Sequence, residues 1–257
     1  GKRAQYDSRA IRQLTMQSVG HVKRHNLKRV ALYRRSSIAV TQAAQAAIEG
    51  VVLATYEADD YKTTGQSKNF LEEILLVADE ELDTAEIQKA VERGRILGEG
   101  TNLARRLVNE PGNRVSPTQL AETAKEIAEI WGLEIEVLEE REMKKKGMDT
   151  ILGVAQGSDE PPRFIILRYF GDNSVDTKPI VLVGKGVTFD SGGLSLKPSQ
   201  SMEEMKADKA GACAILGAMQ AIARLRVNKN IVGLIPAVEN LPSGRAMRPG
   251  DQRGVAR

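Results

Sequence analysis

The sequence predicts an α/β fold, and three features of its 257 residues support that prediction. Apolar residues recur at helical spacing in several long stretches, short apolar runs typical of strands lie between them, and Gly, Pro and capping residues mark the boundaries. Helices and strands that alternate on this scale build a sheet whose central strands are covered on both faces.

The first third of the chain has the pattern of a small α/β piece. We predict helices over 8–26 and 38–56, strands over 27–33 and 73–79, and a loop over 57–68. Asp83 and Glu86 form an N-cap and N3 pair, which predicts a long helix running toward Val108. This helix is the best candidate for a connection between domains. We therefore predict a partial N-terminal α/β domain over 1–82, a connecting helix over 83–100 and a second, partial domain over 101–257.

The rest of the chain contains the elements of a second α/β domain. Ser116 at the N-cap, Pro117 at N1 and Gln119 at N3 predict a helix that ends near Trp131. Farther along we predict strands over 133–138, 164–170, 180–183 and 230–238 and helices over 141–146 and 210–225. We also predict a capping box at Ser201–Glu204. The apolar strand 180–183 is predicted to be buried and to lead into a glycine-rich turn.

Composition excludes several classes of protein. The single cysteine, Cys213, excludes an internal disulfide and a Cys-rich zinc module and is typical of a reducing compartment, so we predict a cytoplasmic location. The chain has no apolar run near the ~18 residues of a membrane span and no signal-peptide core after Gly1, so neither membrane insertion nor secretion is predicted. The net charge of +3 comes from interspersed charges, which argues against a dedicated nucleic-acid module.

The two histidines offer little for catalysis. His21 and His25 have the i, i+4 spacing of H-E-x-x-H zinc proteases, but Val22 stands where that motif has its general base. We interpret them as a solvated or capping pair on the first helix. Cys213 lies in an apolar helix, so we interpret it as a small core residue rather than a nucleophile.

The segment 183–211 carries the most chemistry. A phosphate-binding P-loop would need Ser or Thr after Gly-Lys and Gly five residues earlier, whereas the chain has Gly186 and Pro179 there. A nucleophile elbow would need Gly two residues on either side of Ser191, and Phe189 occupies one of those positions. Neither interpretation survives.

What remains in this segment is a set of two carboxylates and two lysines: Asp190, Asp208, Lys185 and Lys197. Carboxylate oxygens suit Mn, Mg or Zn. A lysine amine can join them if a nearby cation and burial lower its pKa enough to free the lone pair. A structural Lys–Asp ion pair in a tight turn is the alternative, and spacing by itself leaves both open.

Four motifs resemble the catalytic-domain signature of the leucyl aminopeptidase (cytosol aminopeptidase) family of two-metal exopeptidases: VGKGVTFDSGG, KPS, EEMKADKAGACA and PAVENLPSGRAMRPGD. TNLARRLVNEPGNRVSPTQLAE also resembles that family. The likeness spans roughly Tyr61 to Asp251 and is weaker before Tyr61. It implies an N-terminal α/β piece followed by the first part of an α/β catalytic domain with a central mixed sheet flanked by helices.

The resemblance implies a role for each residue of the set. Asp190 matches the carboxylate that bridges both metals. Lys185 matches a neutral-amine ligand of one metal, and Asp208 matches a carboxylate ligand of the same metal. Lys197 matches the lysine that polarises the scissile carbonyl, and Met205 matches a residue lining the pocket for the first side chain of the substrate.

The family also implies cofactors and partners. These are two divalent ions, Mn or Zn with Mg possible, which activate a bridging water, and a bicarbonate held by an arginine as the base. The implied substrates are peptides from which leucine-type N-terminal residues are released. The implied assembly is a homo-hexamer, and some relatives bind DNA as a second role.

One departure from the family affects what we expect of this chain. Family members continue to an Asn-Thr-Asp-Ala-Glu-Gly-Arg segment that supplies an Asp ligand, a bridging Glu and the bicarbonate arginine. This chain lacks that segment, and its tail Gln252–Arg257 does not resemble the family continuation. We therefore expect a fragment truncated at both ends that has little activity by itself. The alternative is a catalytically incompetent fragment or binding protein that keeps the fold, with secondary DNA binding.

Overall fold

The computed structural model describes residues 7–33, 38–58, 61–64, 71–77, 83–172 and 178–251. The tail 252–257, singled out in the sequence, lies outside the described residues. The chain divides into two compact units, Gly1–Asn102 and Leu103–Arg257. Among the described helices, none combines the length and apolar character needed to cross a membrane.

The first unit is a β-α-β arrangement preceded by a helix. Its elements are α1 (Ser8–Arg24), β1 (Arg29–Tyr33), α2 (Val40–Thr55) and β2 (Glu73–Val77). β1 and β2 pair in parallel, which requires a crossover connection, and α2 provides it. α1 packs on α2 around the buried residues Ile11, Ala43, Ala46 and Ala47. The predicted order of elements is confirmed, and positions 78 and 79 of the second predicted strand lie outside the described residues.

The long helix α3 (Thr84–Asn109) begins in the first unit and ends in the second. Asp83 caps it, since its Oδ1 accepts hydrogen bonds from the backbone N–H groups of Ala85 at 2.9 Å and Glu86 at 3.4 Å. The predicted start of this helix is therefore confirmed. The domain divisions proposed from the sequence stay a prediction.

The second unit contains the main sheet. After α3 its elements are α4 (Pro117–Trp131), β3 (Glu134–Leu138), α5 (Glu140–Lys145), α6 (Asp149–Ala155), β4 (Arg163–Phe170), β5 (Ile180–Val183), β6 (Gly186–Asp190), α7 (Ser199–Met202), a 3₁₀ helix (Glu203–Lys209), α8 (Ala210–Arg224) and β7 (Asn230–Asn240). Ser116 caps α4 by accepting from the Gln119 N–H at 3.3 Å, as predicted. The short helix α6 was not predicted.

Strand β7 organises the sheet. The strand order is β3-β4-β7-β5, and β6 also pairs with β7. β7 runs antiparallel to β4 and parallel to β5 and β6, so the predicted mixed sheet is confirmed. β5 pairs with the first part of β7, from Ile231, and β6 pairs with its last part, from Ala237. β5 and β6 therefore follow one another along the same edge of β7, separated by Gly184 and Lys185.

Helices cover one face of this sheet closely. The main core joins α4, α8, β4 and β7, and its fully buried side chains include Leu120, Ile165, Leu167, Leu216, Met219 and Ile235. On a smaller scale α6 contributes Ala155 to a second cluster with Val187 and Val238. These strands combine the β-branched and aliphatic residues expected of a sheet packed beneath helices.

Three local predictions are wrong. Residues 186–190 form strand β6 rather than part of a glycine-rich turn, because they pair with the distant end of β7. β5, predicted to be buried, has Val183 68% and Val181 51% exposed, because it lies at the edge of the described sheet. Ser201 does not cap a helix, because α7 already begins at Ser199, directly after Pro198.

Gly94 and Gly20 make a matched test of helix packing in the first unit. A Cβ on Gly94 of α3 would lie 2.4 Å from the Gln45 carbonyl oxygen of α2, whereas a Cβ on Gly20 of α1 would meet nothing within 4 Å. We expect Gly94→Ala to lower the free energy of unfolding by about 1–3 kcal/mol through overpacking. We expect Gly20→Ala to raise it by about 0.5–1 kcal/mol. Urea unfolding followed by circular dichroism measures both, and equal effects of the two substitutions would contradict the packing of α3 on α2.

Candidate metal-binding site

Asp190 lies at the end of β6, where the strand meets the end of β7. Its register partner is Asn240, and the pairing is irregular between Val187 and Asp190. Irregular pairing of this kind re-aims a side chain at the edge of a sheet. Gly192 and Gly193 follow with φ of +88° and +68°, a left-handed backbone that favours glycine. The sequence D-S-G-G thus turns the chain sharply directly after the carboxylate.

The Asp190 carboxylate is surrounded by donors. Its Oδ2 accepts from Lys197 Nζ at 2.5 Å, and its Oδ1 accepts from the Gly192 N–H at 3.0 Å and from Asn240 Nδ2 at 2.7 Å. Burial acts to raise the pKa of Asp190, but the hydrogen bonds from Lys197, Gly192 and Asn240 and the positive charge of Lys197 together hold it below its ordinary value. Asp190 is therefore a carboxylate at neutral pH.

The 3₁₀ helix provides a second row of site residues. Met205 and Asp208 are three residues apart, and side chains at this spacing lie along one side of a 3₁₀ helix. Met205 Sδ lies 3.2 Å from Lys197 Nζ, so the lysine contacts both Asp190 and this helix. β6 itself packs against the same helix.

Lys185 lies in the break between β5 and β6 and faces Asp208. Lys185 Nζ is 2.8 Å from Asp208 Oδ2, yet this oxygen is buried and has no hydrogen-bond partner, so the contact is an ion pair without hydrogen-bond geometry. The Lys185 side chain is 61% exposed. This differs from the sequence argument, which relied in part on burial to free the amine lone pair.

The structure brings the five predicted site residues into two contact groups. Asp190, Lys197 and Met205 form one group, and Lys185 and Asp208 form the other. Lys185 and Asp190 lie at the two ends of β6, Met205 and Asp208 lie on the 3₁₀ helix, and Lys197 lies in the loop before α7.

A divalent cation fits these residues, and the buried Asp208 Oδ2 is the observation that supports it. A buried polar atom without a hydrogen bond is rare, and an ion or a catalytic role is among its recognised explanations. Two carboxylates and an amine are suitable donors for such an ion. Within the described residues, no cluster of three or more His, Cys, Asp or Glu side chains could hold a metal. The alternative, in which the lysines and carboxylates form purely structural ion pairs, predicts the same two Lys–Asp contacts. The observation that favours a cation is the Asp208 Oδ2 atom, which accepts no hydrogen bond.

The sequence analysis did not predict that Lys209 is buried and bonded to backbone oxygens. Lys209 is fully buried, and its Nζ donates to the backbone oxygens of Glu110 at 2.7 Å and Lys206 at 2.6 Å. Burial lowers the pKa of Lys209, as does the neighbouring charge of Lys206. Lys206 in turn donates to the Asn109 oxygen at 3.0 Å. Both lysines thus attach the 3₁₀ helix to the C-terminal end of α3, where cations are favourable. No local sequence pattern predicts the burial of Lys209, because lysine side chains are normally exposed.

The sequence analysis also missed the contact that Asn240 makes in the site. The structure places its side-chain amide directly on Asp190. The position of Asn240 at a strand end was the available signal. Cys213 is fully buried, and burial raises its pKa to about 11, so it is a neutral thiol in the core as interpreted.

The mixed sheet places a cluster of lysines and carboxylates around β6, and comparison with known proteins identifies the family of this α/β protein. The chain belongs to the cytosol aminopeptidase family: its catalytic-domain sequence model matches residues 102–253, and its N-terminal-domain model matches residues 1–65.

Relatives and solved structures agree with this assignment. A "Probable cytosol aminopeptidase" from Solibacter usitatus is 45% identical over 98% of this chain and 51% of its own length, and one from Syntrophotalea carbinolica is 46% identical over the same shares. The chain thus spans about half the length of these curated relatives. The structure resembles "Bottromycin maturation enzyme BotP in complex with Mn", with a TM-score of 0.81 and 35% identity over 95% of this chain and 50% of that chain.

The Lys197–Asp190 pair should make stability depend on pH. Because the folded-state pKa of Asp190 lies below its ordinary value of 3.8, its ionised form stabilises the fold above that pH, and this contribution is lost as the pH falls through the folded-state pKa. We expect Lys197→Met to lower the free energy of unfolding by about 1–3 kcal/mol near neutral pH. The difference from the unsubstituted protein should shrink in acid.

Urea unfolding at a series of pH values measures this effect. Lys229→Met, at an exposed lysine just before β7, is the matched control and should show no such pH-dependent difference. A Lys197→Met effect of the same size at acidic and neutral pH would contradict the ion pair.

Proposed function

We propose that this site is the metal-binding part of an aminopeptidase active site, and that the protein is a metal-dependent aminopeptidase releasing leucine-type residues from the N-termini of peptides. The observation that carries the proposal is the buried Asp208 Oδ2, which is ion-paired with the Lys185 amine at 2.8 Å but accepts no hydrogen bond. It lies inside the region that matches the family's catalytic domain. The similar solved structure of BotP in complex with Mn supports a divalent metal.

Each side chain has a proposed task. Lys185 and Asp208 would hold one cation, and Asp190 would contribute to two. Bound divalent cations supply positive charge that polarises a peptide carbonyl and lowers the pKa of a bound water. Lys185 can take part only as a neutral amine, because an ammonium has no lone pair to offer.

Lys197 is the proposed catalytic residue outside the ligand set. Its ammonium is held between Asp190 Oδ2 and Met205 Sδ, and its side chain is 30% exposed. A fixed ammonium in a partly enclosed site stabilises the negative charge that develops on a carbonyl oxygen during attack. Met205, in contact with that ammonium, is proposed to line the pocket for the first side chain of the substrate. This suits an apolar, leucine-type residue.

The other features implied by the family stay predictions. They are zinc as an alternative metal, the arginine-held bicarbonate, the homo-hexamer, secondary DNA binding and a cytoplasmic location. No contact in the described residues favours DNA binding over peptidase activity.

Substitution of the ligands tests the assignment of metal-binding residues. We expect Asp190→Asn to abolish Mn²⁺ binding measured by isothermal titration calorimetry. Lys185→Arg keeps the charge but has no available lone pair, so affinity should fall by more than about tenfold. Lys229→Arg is the matched control and should bind as the unsubstituted chain does. Full Mn²⁺ affinity in Lys185→Arg would leave Lys185 as an ion-pair partner only.

The 257-residue chain by itself should be a poor enzyme. One amine and two carboxylates leave most coordination positions of two cations to water, so we expect at most one Mn²⁺ per chain. Hydrolysis of a leucine chromogenic amide with added Mn²⁺ or Zn²⁺ should be negligible beside the ~1 to 1000 per second of typical enzymes. Turnover in that range would show that other residues of the chain complete the site.

A chimera tests the proposed activity directly. This chain would replace the matching half of the Solibacter usitatus relative, to which it is 45% identical. We expect Mn²⁺-dependent release of N-terminal leucine from a peptide by the chimera. Lys197→Ala in the chimera should retain metal and lose most turnover, because Lys197 is proposed to act on the substrate carbonyl. A fully metal-loaded chimera with no peptidase activity, beside an active parent, would contradict the proposal.

A further inference from the structure

Asn240 is bonded to the Asp190 turn through both its backbone and its side chain, and the metal site described above assigns it no role. It is the last residue of β7 and the register partner of Asp190. Its backbone oxygen accepts from the Ser191 N–H at 2.9 Å and from Ser191 Oγ at 2.8 Å. Its side-chain Nδ2 donates to Asp190 Oδ1 at 2.7 Å.

The Asn240 amide is itself fixed. A Cβ on Gly193 would lie 3.0 Å from Asn240 Oδ1, so the glycine backbone packs directly against the amide oxygen. Because the main chain is tied to Ser191 and the amide oxygen lies against Gly193, rotation of the amide is restricted. Nδ2 is then held toward Asp190.

The donors divide the two oxygens of Asp190 unequally. Oδ1 accepts from both Asn240 Nδ2 and the Gly192 N–H, and Oδ2 accepts from Lys197. A carboxylate oxygen has about two lone-pair directions, so two N–H donors saturate Oδ1. Oδ2, which accepts from Lys197 alone, is then the oxygen of this carboxylate that stays open to cations.

We propose that Asn240 is a positioning residue that fixes the rotation of the Asp190 carboxylate, so that Oδ1 is committed to the protein and Oδ2 is presented to the cation. The effect on the cation rests on the proposed function, whereas the orientation of the carboxylate does not. Residues that orient a metal ligand through a hydrogen bond typically change metal affinity when removed.

Two variants and a control isolate this role. Asn240→Ala removes the amide, and Asn240→Leu replaces it with a side chain of similar size that has no donor. Asn230→Ala is the matched control, because Asn230 is the first residue of the same strand and its Oδ1 accepts from the Asp172 N–H at 3.1 Å. It lies at the opposite end of β7 from Asp190.

The first measurement needs no metal. In ¹H–¹⁵N spectra of the chain, both Asn240 variants should shift the Gly192 amide signal and speed its exchange with water, because Asp190 Oδ1 is no longer held against it. The Ser191 amide should be unchanged, since its acceptor is the backbone oxygen of residue 240. Asn230→Ala should leave both signals in place.

The second measurement is Mn²⁺ affinity by calorimetry on the same samples. The Asn240 variants should bind about 10- to 100-fold more weakly, and Asn230→Ala should bind normally. A Gly192 signal that does not respond overturns the inference. So does a joint change of Gly192 and Ser191 in both variants, since Asn240 would then serve only the fold. If Gly192 responds and Ser191 does not, but no sample binds Mn²⁺, the orientation of Asp190 stands and the proposed function fails.

Discussion

The pairing of β6 with the end of β7 is the constraint on which the site depends. β7 is eleven residues long, and it holds β5 and β6 one after the other on the same edge. Lys185 emerges at the break between those strands, and Asp190 emerges where β6 ends. A backbone ladder thus sets the positions of both residues, and a one-residue slip would turn their side chains to the wrong face of the sheet.

The 3₁₀ helix connects this strand to the rest of the unit through its three-residue repeat. Lys206 and Lys209 lie along one side and donate to backbone oxygens at the end of α3. Met205 and Asp208 lie along another side and contact Lys197 and Lys185. One short helix therefore has a row that attaches it to the protein and a row that serves the site. The cost of burying Lys209 is offset by its two hydrogen bonds to carbonyl oxygens.

Close backbone approach explains part of the glycine content of the segment. A Cβ on Gly184 would lie 2.4 Å from the Gly211 oxygen, so the start of α8 packs directly against the break that carries Lys185. The Ala212 N–H donates to the Lys185 oxygen at 2.8 Å and fixes this contact. The two ends of the segment 183–211 are thereby joined, which keeps Lys185 near the helix that carries Asp208.

The features that depend on near neighbours in the chain could be predicted from the sequence. Short-range spacing predicts the helix caps at Asp83 and Ser116 and the alternation of helices and strands. It also shows that four site residues lie in one segment: Lys185, Asp190, Lys197 and Asp208. Long-range packing determines that 186–190 is a strand, that β5 is exposed, that Lys209 is buried and that Asn240 donates to Asp190. The physical reason is distance along the chain: the Asp190–Asn240 bond joins residues 50 positions apart, and the Lys209 bond to Glu110 joins residues 99 apart. Local periodicity carries no information about such pairs, because strand pairing and burial are set by which distant segments pack together.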